Sequence, residues 1–280
     1  MAMHFEEALA DVQLDSEQLQ ASRYIASNRF KVRKNSGAKF EQRWAQRTSR
    51  LAELDGFRWF SLLRRVEGQG SDYSVEGDFG NYISLTVWED KTAFDAWRTG
   101  EAFKEAHGGG GISDFVKLLT TAIFILDGAP KPAFYSGLIP VVGGAGQAEV
   151  GRVAGGWRTD VVADGVKHIP AEVYVELNRF QARPDARADF EKLWAATETA
   201  VAGAGDMVFT TLLRRDVPDD GYNYIAMTAW KSREAAEQWR NSSGAAVAAA
   251  ATRDAAGLLA APAKPAYYEG VLVLVDEDGP

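Results

Sequence analysis

Apolar runs of strand length alternate with stretches of helical periodicity along the first half of the chain. Four runs rich in β-branched and aromatic residues predict strands, at residues 22–33, 57–66, 81–88 and about 132–142. Between the first two strands, residues 38–54 carry Phe40, Trp44, Leu51 and Leu54 at the spacing of one helix face. This part of the pattern therefore predicts a strand, a helix and two further strands.

After the third strand the pattern becomes helical and is interrupted once. Asp90 is a candidate N-cap, because a short carboxylate side chain can accept hydrogen bonds from the backbone N–H groups of the first turn. Phe94 and Trp97 then share one face, and a Thr-Gly pair predicts a break. A second helical piece follows, with Phe103 and His107 on one side.

A further short helix at about 112–121 precedes the last strand, which completes the order β-α-β-β-α-β. This order is that of a ferredoxin-like module, an α+β fold. Helices cover one face of such a four-stranded sheet, so an apolar opposite face must be buried against a partner.

The second half of the chain repeats the first. The Asn-Arg-Phe run at residues 28–30 recurs at 178–180, and Trp97 recurs as Trp239. We therefore predict two tandem ferredoxin-like repeats that pack sheet to sheet as a pseudo-dimeric β-barrel within a monomer. The predicted boundaries are an N-terminal tail at 1–21, a first domain at 22–142, a linker at 143–170 and a second domain at 171–276.

Composition narrows the possible partners. The formal net charge of −8 and the lack of any dense run of Lys or Arg argue against nucleic acid. No apolar run reaches the roughly 18 residues of a membrane span. We therefore expect a soluble protein, and the absence of cysteine favours an intracellular setting, in the cytoplasm or in an organelle such as the chloroplast if a transit peptide was removed. The chain has no cysteine and three histidines, so metal binding would rest on histidine or carboxylates.

Asn28, Trp97 and His107 are the candidate site residues of the first repeat. Asn is disfavoured in strands, a bulky indole can form the wall of a ligand pocket, and a neutral imidazole is a common metal ligand. Each residue also has a structural explanation: a hydrogen bond at the sheet edge for Asn28, core packing for Trp97, and contact with the helix dipole for His107.

The strings around these residues resemble the IsdG-type haem oxygenases of the antibiotic-biosynthesis-monooxygenase superfamily. The resemblance extends over residues 22–142 and is looser in the second repeat. The strings that carry it are Ile25-Ala26-Ser27-Asn28-Arg29-Phe30, Thr86-Val87-Trp88, Ala93-Phe94-Asp95-Ala96-Trp97 and Phe103-Lys104-Glu105-Ala106-His107.

The resemblance implies a haem-degrading monooxygenase that opens the porphyrin and releases iron. It implies that His107 is the axial iron ligand, that Trp97 presses on the porphyrin and ruffles it, and that Asn28 forms a hydrogen bond on the distal side. Phe94 and Phe103 are expected to line the same pocket. Haem is then both cofactor and substrate, and the reaction needs O₂ and an external electron donor.

The second repeat keeps Asn178 and Trp239, but Ala249 stands ten residues after Trp239, where a ligand matching His107 would be. We therefore expect one haem per chain and structural roles for Asn178 and Trp239. Two other functions stay open, because a fold does not fix a function. One is a cofactor-free quinol monooxygenase of the same fold, and the other is a non-catalytic haem-binding or carrier protein.

Overall fold

The structure is a computed structural model, and it describes residues 18–47, 50–66, 80–106, 124–144, 161–202, 204–217 and 221–276. The elements of the first repeat are β1 (Arg23–Phe30), α1 (Gly37–Ala45), β2 (Phe57–Arg65), β3 (Tyr82–Trp88), α2 (Lys91–Thr99), α3 (Glu101–Ala106) and β4 (Lys131–Val142). The elements of the second repeat are β5 (Val173–Ala182), α4 (Arg187–Ala202), β6 (Met207–Arg215), β7 (Tyr224–Trp230), α5 (Arg233–Arg240), α6 (Ser243–Asp254) and β8 (Leu259–Val275).

The strands of the first repeat lie where the pattern predicts them, but one helix is shorter. The Asp90 carboxylate caps α2 as predicted, since it accepts a backbone N–H of the first turn at 2.8 Å. The helix predicted at 38–54 ends at Ala45, and a separate 3₁₀ turn at Leu51–Glu53 brings Leu51 into the same core. The apolar period continues past the helix end because both elements pack on one core. The helix predicted at 112–121 lies outside the described residues.

Each repeat forms a four-stranded antiparallel sheet, with the order β4-β1-β3-β2 in the first and β8-β5-β7-β6 in the second. β2 pairs with β8, and β4 pairs with β6, so the two sheets close into an eight-stranded barrel. The predicted fold of two ferredoxin-like repeats joined as a pseudo-dimeric barrel is confirmed. Closure leaves no unpaired sheet edge between the repeats.

The last strand of each repeat belongs to both sheets. β4 pairs with β1 through residues 131–137 and with β6 through a segment that begins at residue 135. Gly137 lies at this crossing, and a Cβ there would be 2.6 Å from Ile25 Cδ1. Gly270 has the same place in β8, where a Cβ would also clash with the neighbouring strand. A residue without a side chain lets the strands approach this closely.

The inner faces of the two sheets form a single core inside the barrel. Ile25 and Leu85 from the first repeat and Leu177 and Met227 from the second belong to it, and all four are buried. The apolar face that each sheet leaves uncovered by its helices is therefore buried against the other repeat. The outer faces pack against the helices and form separate cores.

A buried glutamate in each first helix binds the segment that precedes the first strand of the other repeat. Glu41 of α1 accepts the backbone N–H of Ile169 at 2.6 Å, and Glu191 of α4 accepts that of Leu19 at 2.7 Å. Each glutamate also accepts the hydroxyl of a tyrosine in its own repeat at 2.7 Å. The repeats are thus joined by matching polar contacts as well as by strand pairing. None of the helices in the described ranges is long and apolar enough to cross a membrane.

Candidate functional site

Alternation along β1 places its side chains in two environments. Ile25 faces the barrel interior, whereas Ala26 packs with the core between the sheet and its helices. Asn28 lies two residues further along and therefore on the same outer face as Ala26. On that face it is flanked by Ser84 of β3 and Pro132 of β4.

Aromatic rings from the sheet and its helices form a wall next to this face. Trp97 of α2 stacks on Trp88 with ring centroids 5.3 Å apart, contacts Phe94 at 5.7 Å and meets Phe103 of α3 edge-on at 5.0 Å. Phe134 of β4 lies 5.7 Å from Phe94. These five residues are called the aromatic wall below. The structure thus brings together three residues predicted for the pocket, and leaves Trp97 and Phe103 only half-buried.

Asn28 is exposed, and its side-chain amide has no hydrogen-bond partner in the part of the chain that the structure describes. The bond at the sheet edge that would explain an Asn in a strand is therefore not observed. Ala26, its neighbour on the same face, is paired with Phe134 of the aromatic wall. Asn28 thus keeps an N–H donor and a carbonyl acceptor available beside an apolar surface.

His107, the predicted iron ligand, lies outside the described residues. The described part of α3 extends to Ala106, and Phe103 of this helix contacts Trp97 in the aromatic wall. Within the described ranges, no group of three or more His, Asp or Glu side chains could hold a metal ion. The role of His107 therefore stays a prediction.

The matching face of the second repeat is filled by an ion pair. Glu176 stands on β5 where Ala26 stands on β1, and its carboxylate accepts the indole N–H of Trp230 at 3.2 Å. The same carboxylate accepts two hydrogen bonds from Arg240, at 2.5 and 3.1 Å. Arg240 also lies over the ring of Tyr267, which matches Phe134 of the first repeat. A position that carries only a methyl group in one repeat thus carries an ion pair in the other.

Trp239 and Asn178, the two site residues that the second repeat retains, are both at least partly buried. Trp239 packs on Trp230 with ring centroids 5.3 Å apart, the same separation as in the tryptophan pair of the first repeat. Asn178 is half-buried, and its Oδ1 is buried without a partner among the described residues. Ala249 lies exposed on α6. The tryptophan pair is therefore a structural reason for keeping Trp239.

Tyr24 connects one end of the aromatic wall to the second repeat. Tyr24 lies 5.2 Å from Phe94 and donates its hydroxyl to Asp216 of the second repeat at 3.3 Å. Burial raises the pKa of Tyr24, and the nearby charge of Asp216 raises it further. Burial also raises the pKa of Asp216. Tyr24 is consequently a neutral hydrogen-bond donor near neutral pH.

Sequence reasoning missed Glu176 and Phe134. Glu176 could have been found, because it lies in the block that matches residues 22–30 and replaces Ala26 there. Phe134 carried only a weak signal, as an aromatic residue in a predicted strand. The pairing of β4 with β1 is what brings Phe134 next to Ala26.

The family model for antibiotic biosynthesis monooxygenases (ABM) matches the chain twice, at residues 23–109 and 173–251. The two matches fall one in each repeat and together cover more than half of the chain. This protein therefore belongs to the antibiotic biosynthesis monooxygenase family, and ABM monooxygenases are oxygenase-type enzymes.

Two relatives of known activity are similar over a shorter span. The heme oxygenase (mycobilin-producing) of Mycobacterium tuberculosis is 34% identical over 85 residues, which is 30% of this chain and 70% of the relative. The heme oxygenase (staphylobilin-producing) of Staphylococcus saprophyticus is 31% identical over 86 residues, which is 31% of this chain and 74% of the relative.

Two solved structures share the fold over nearly the whole chain. A protein from Fusobacterium nucleatum, provisionally named a monooxygenase, superposes with a TM-score of 0.59 at 11% identity, covering 93% of this chain and 97% of its own. A second protein of the same provisional name, from Lactobacillus acidophilus, gives 0.57 at 9% identity, with 91% and 96% covered. At these identities the likeness concerns the fold alone.

Proposed function

We propose that this ABM protein is a haem-degrading monooxygenase whose haem site is the outer face of the first repeat's sheet. One observation carries the proposal. Asn28, whose amide has no partner among the described residues, shares a sheet face with Ala26, which pairs with Phe134 of the aromatic wall, whereas the matching face of the second repeat carries the pair Glu176 and Arg240. The two relatives named heme oxygenases support the choice of haem among the flat ligands that such a surface could accept.

The residues present suit a large flat ring. Ala26 carries only a methyl group, and the half-buried rings of Trp97 and Phe103 offer apolar surface to a porphyrin. In this proposal His107 holds the iron and Trp97 presses on the ring. Asn28 would donate an N–H to the bound group, and a carboxamide can do so without giving up its proton. When bound, haem supplies the iron at which O₂ reacts with electrons from an external donor.

The test is an absorption titration with hemin, followed by turnover with ascorbate as the electron donor. The wild type should show the Soret band of imidazole-ligated haem and then lose it as the porphyrin is opened. His107→Ala should lose both the band and turnover. His168→Ala is the matched control, because His168 contacts Glu41 at 2.9 Å and lies outside the proposed site. It should behave as the wild type does.

Three other results of this experiment would each point to a different conclusion. An unchanged imidazole spectrum in His107→Ala would contradict the ligand assignment. Haem binding without turnover in the wild type would indicate a haem carrier. Absence of haem binding together with oxidation of a quinol would indicate the cofactor-free monooxygenase.

We also propose that the protein is a monomer, because each repeat already covers the inner face of the other. Strand pairs β2–β8 and β4–β6 close the barrel within one chain. Light scattering at micromolar concentration should give the chain mass of 30.5 kDa. Twice that mass would contradict the proposal.

A further inference from the structure

A cavity of about 630 Å³ lies between the repeats, outside the proposed haem site. Its lining comes from both repeats, including β1 and β4 of the first and β6 and the start of α4 of the second. Positive charge predominates there. The basic residues of the lining are Arg23, Lys91, Arg187, Arg214 and Arg215, against the three carboxylates Glu89, Asp90 and Asp216.

Arg214 of this cavity has a counterpart in Arg64 of β2, which shows how such an arginine is satisfied elsewhere in the fold. Arg64 donates one terminal N–H to Glu41 at 2.8 Å. Its Nε and its other terminal nitrogen both donate to Glu269, at 3.0 and 2.5 Å. Arg64 also donates to the backbone carbonyl of Ile169 through the nitrogen that bonds Glu41. Arg214 repeats the contacts of this one nitrogen, with Glu191 at 3.0 Å and the carbonyl of Leu19 at 3.0 Å, but lacks the two to a second carboxylate.

A serine replaces the second carboxylate in the cavity. Ser136 is paired with Arg214 across β4 and β6, as Glu269 is paired with Arg64 across β8 and β2. Among the described residues, Nε and the other terminal nitrogen of Arg214 have no hydrogen-bond partner. These two N–H groups form the fork that binds a carboxylate bidentately, and Glu269 shows that the fold accommodates a carboxylate at this position.

Two more arginines of the lining each have an N–H donor without a hydrogen-bond partner among the described residues. The Nε atoms of Arg23 and Arg187 are buried and have no partner within the ranges that the structure describes. Burial lowers the pKa of Arg23, and the nearby charge of Arg58 lowers it further. A partly buried guanidinium with an unpartnered N–H is stabilised by a nearby anion, and both arginines belong to the lining of the cavity.

The three carboxylates of the lining have partners of their own. Glu89 pairs with Arg58 at 3.1 Å, and Asp90 caps the first turn of α2. Asp216 accepts a tyrosine hydroxyl at 3.3 Å, and burial raises its pKa.

We propose that this cavity is a binding site for a small di- or tricarboxylate. One carboxylate of the ligand takes the place that Glu269 has in the other half of the barrel and bonds the fork of Arg214. A second carboxylate binds Arg23 and Arg187. The site uses side chains of both repeats and involves none of the residues proposed for haem.

The test is calorimetric titration of the full chain with succinate in 0.15 M NaCl, with acetate as the single-carboxylate comparison. The wild type should bind succinate at one site and at least tenfold more tightly than acetate. Ser136→Glu places a carboxylate opposite Arg214 and should weaken succinate binding at least tenfold while raising the melting temperature. Arg187→Gln, on the cavity wall, should also weaken it at least threefold. Arg253→Gln, an exposed change on α6 outside the lining, should leave it unchanged.

Absence of saturable succinate binding by the wild type would overturn the proposal. Equal succinate affinity in the wild type, Ser136→Glu and Arg187→Gln would overturn it as well. No haem is present in this experiment, so its outcome is independent of the proposed oxygenase activity.

Discussion

The two repeats share one framework but differ in what lies over their outer faces. Both place an asparagine on the first strand and pack one tryptophan on another at 5.3 Å. In the first repeat Ala26 leaves the face apolar and Asn28 unbonded, whereas in the second Glu176 and Arg240 form an ion pair there. The comparison teaches that the framework itself is structural. We infer that the difference in ligand binding proposed between the repeats depends on the few side chains that differ above this framework.

The largest expected effect is the difference in haem occupancy between the repeats. We expect the titration with hemin to end at one equivalent per chain, because the first repeat has Ala26 in place of Glu176 and His107 in place of Ala249. Absorbance at the Soret maximum provides the measurement. A second equivalent of similar affinity would show that the ion pair of the second repeat does not exclude haem.

Ala26→Glu should convert the first face into a copy of the second. The new carboxylate lies in an apolar surface, and Arg98 stands where Arg240 stands in the second repeat, so the pair can form again. Because haem must then displace or bury a charge, its affinity should fall at least about tenfold. Glu176→Ala is the matched change in the second repeat. In a hemin titration this variant should bind haem with the affinity of the wild type.

Asn28→Ala and Trp97→Phe should still bind haem but degrade it more slowly. Loss of one hydrogen bond or of ring pressure corresponds to about a tenfold lower rate. Single-turnover decay of the Soret band with ascorbate measures this rate. Asn178→Ala and Trp239→Phe are the controls. In these two variants the Soret band should decay at the wild-type rate. Wild-type rates in the first-repeat variants would assign Asn28 and Trp97 a structural role only.

The smallest expected difference concerns the buried glutamates, whose hydrogen bonds with a tyrosine hydroxyl and with a backbone N–H match between the repeats. Tyr82→Phe and Tyr224→Phe each remove a 2.7 Å hydrogen bond to a buried carboxylate. Each should lower the free energy of unfolding by about 2 kcal/mol, and the two losses should be equal. Urea denaturation measures both. Clearly unequal losses would show that the two glutamate sites are not energetically equivalent.

The sequence by itself determined the local elements and their repetition. Strand and helix periods along residues 22–106, the N-cap at Asp90 and the order β-α-β-β-α-β follow from neighbouring residues, because the backbone period of an element is set within a few positions. The paired strings also predicted two repeats that bury their apolar faces against each other. The strings around Trp97 identified three aromatic residues that the structure brings together.

Only the tertiary structure decided how the repeats close and what fills each face. The crossing of β4 from β1 to β6, the contact of Ile169 with Glu41, and the ion pair between Glu176 and Arg240 all join residues more than 60 positions apart. Sequence periodicity carries no signal over such separations, because these contacts depend on strand register and on which sheet edge each strand reaches. For the same reason the cavity between the repeats could be found only once both halves of the barrel were in place.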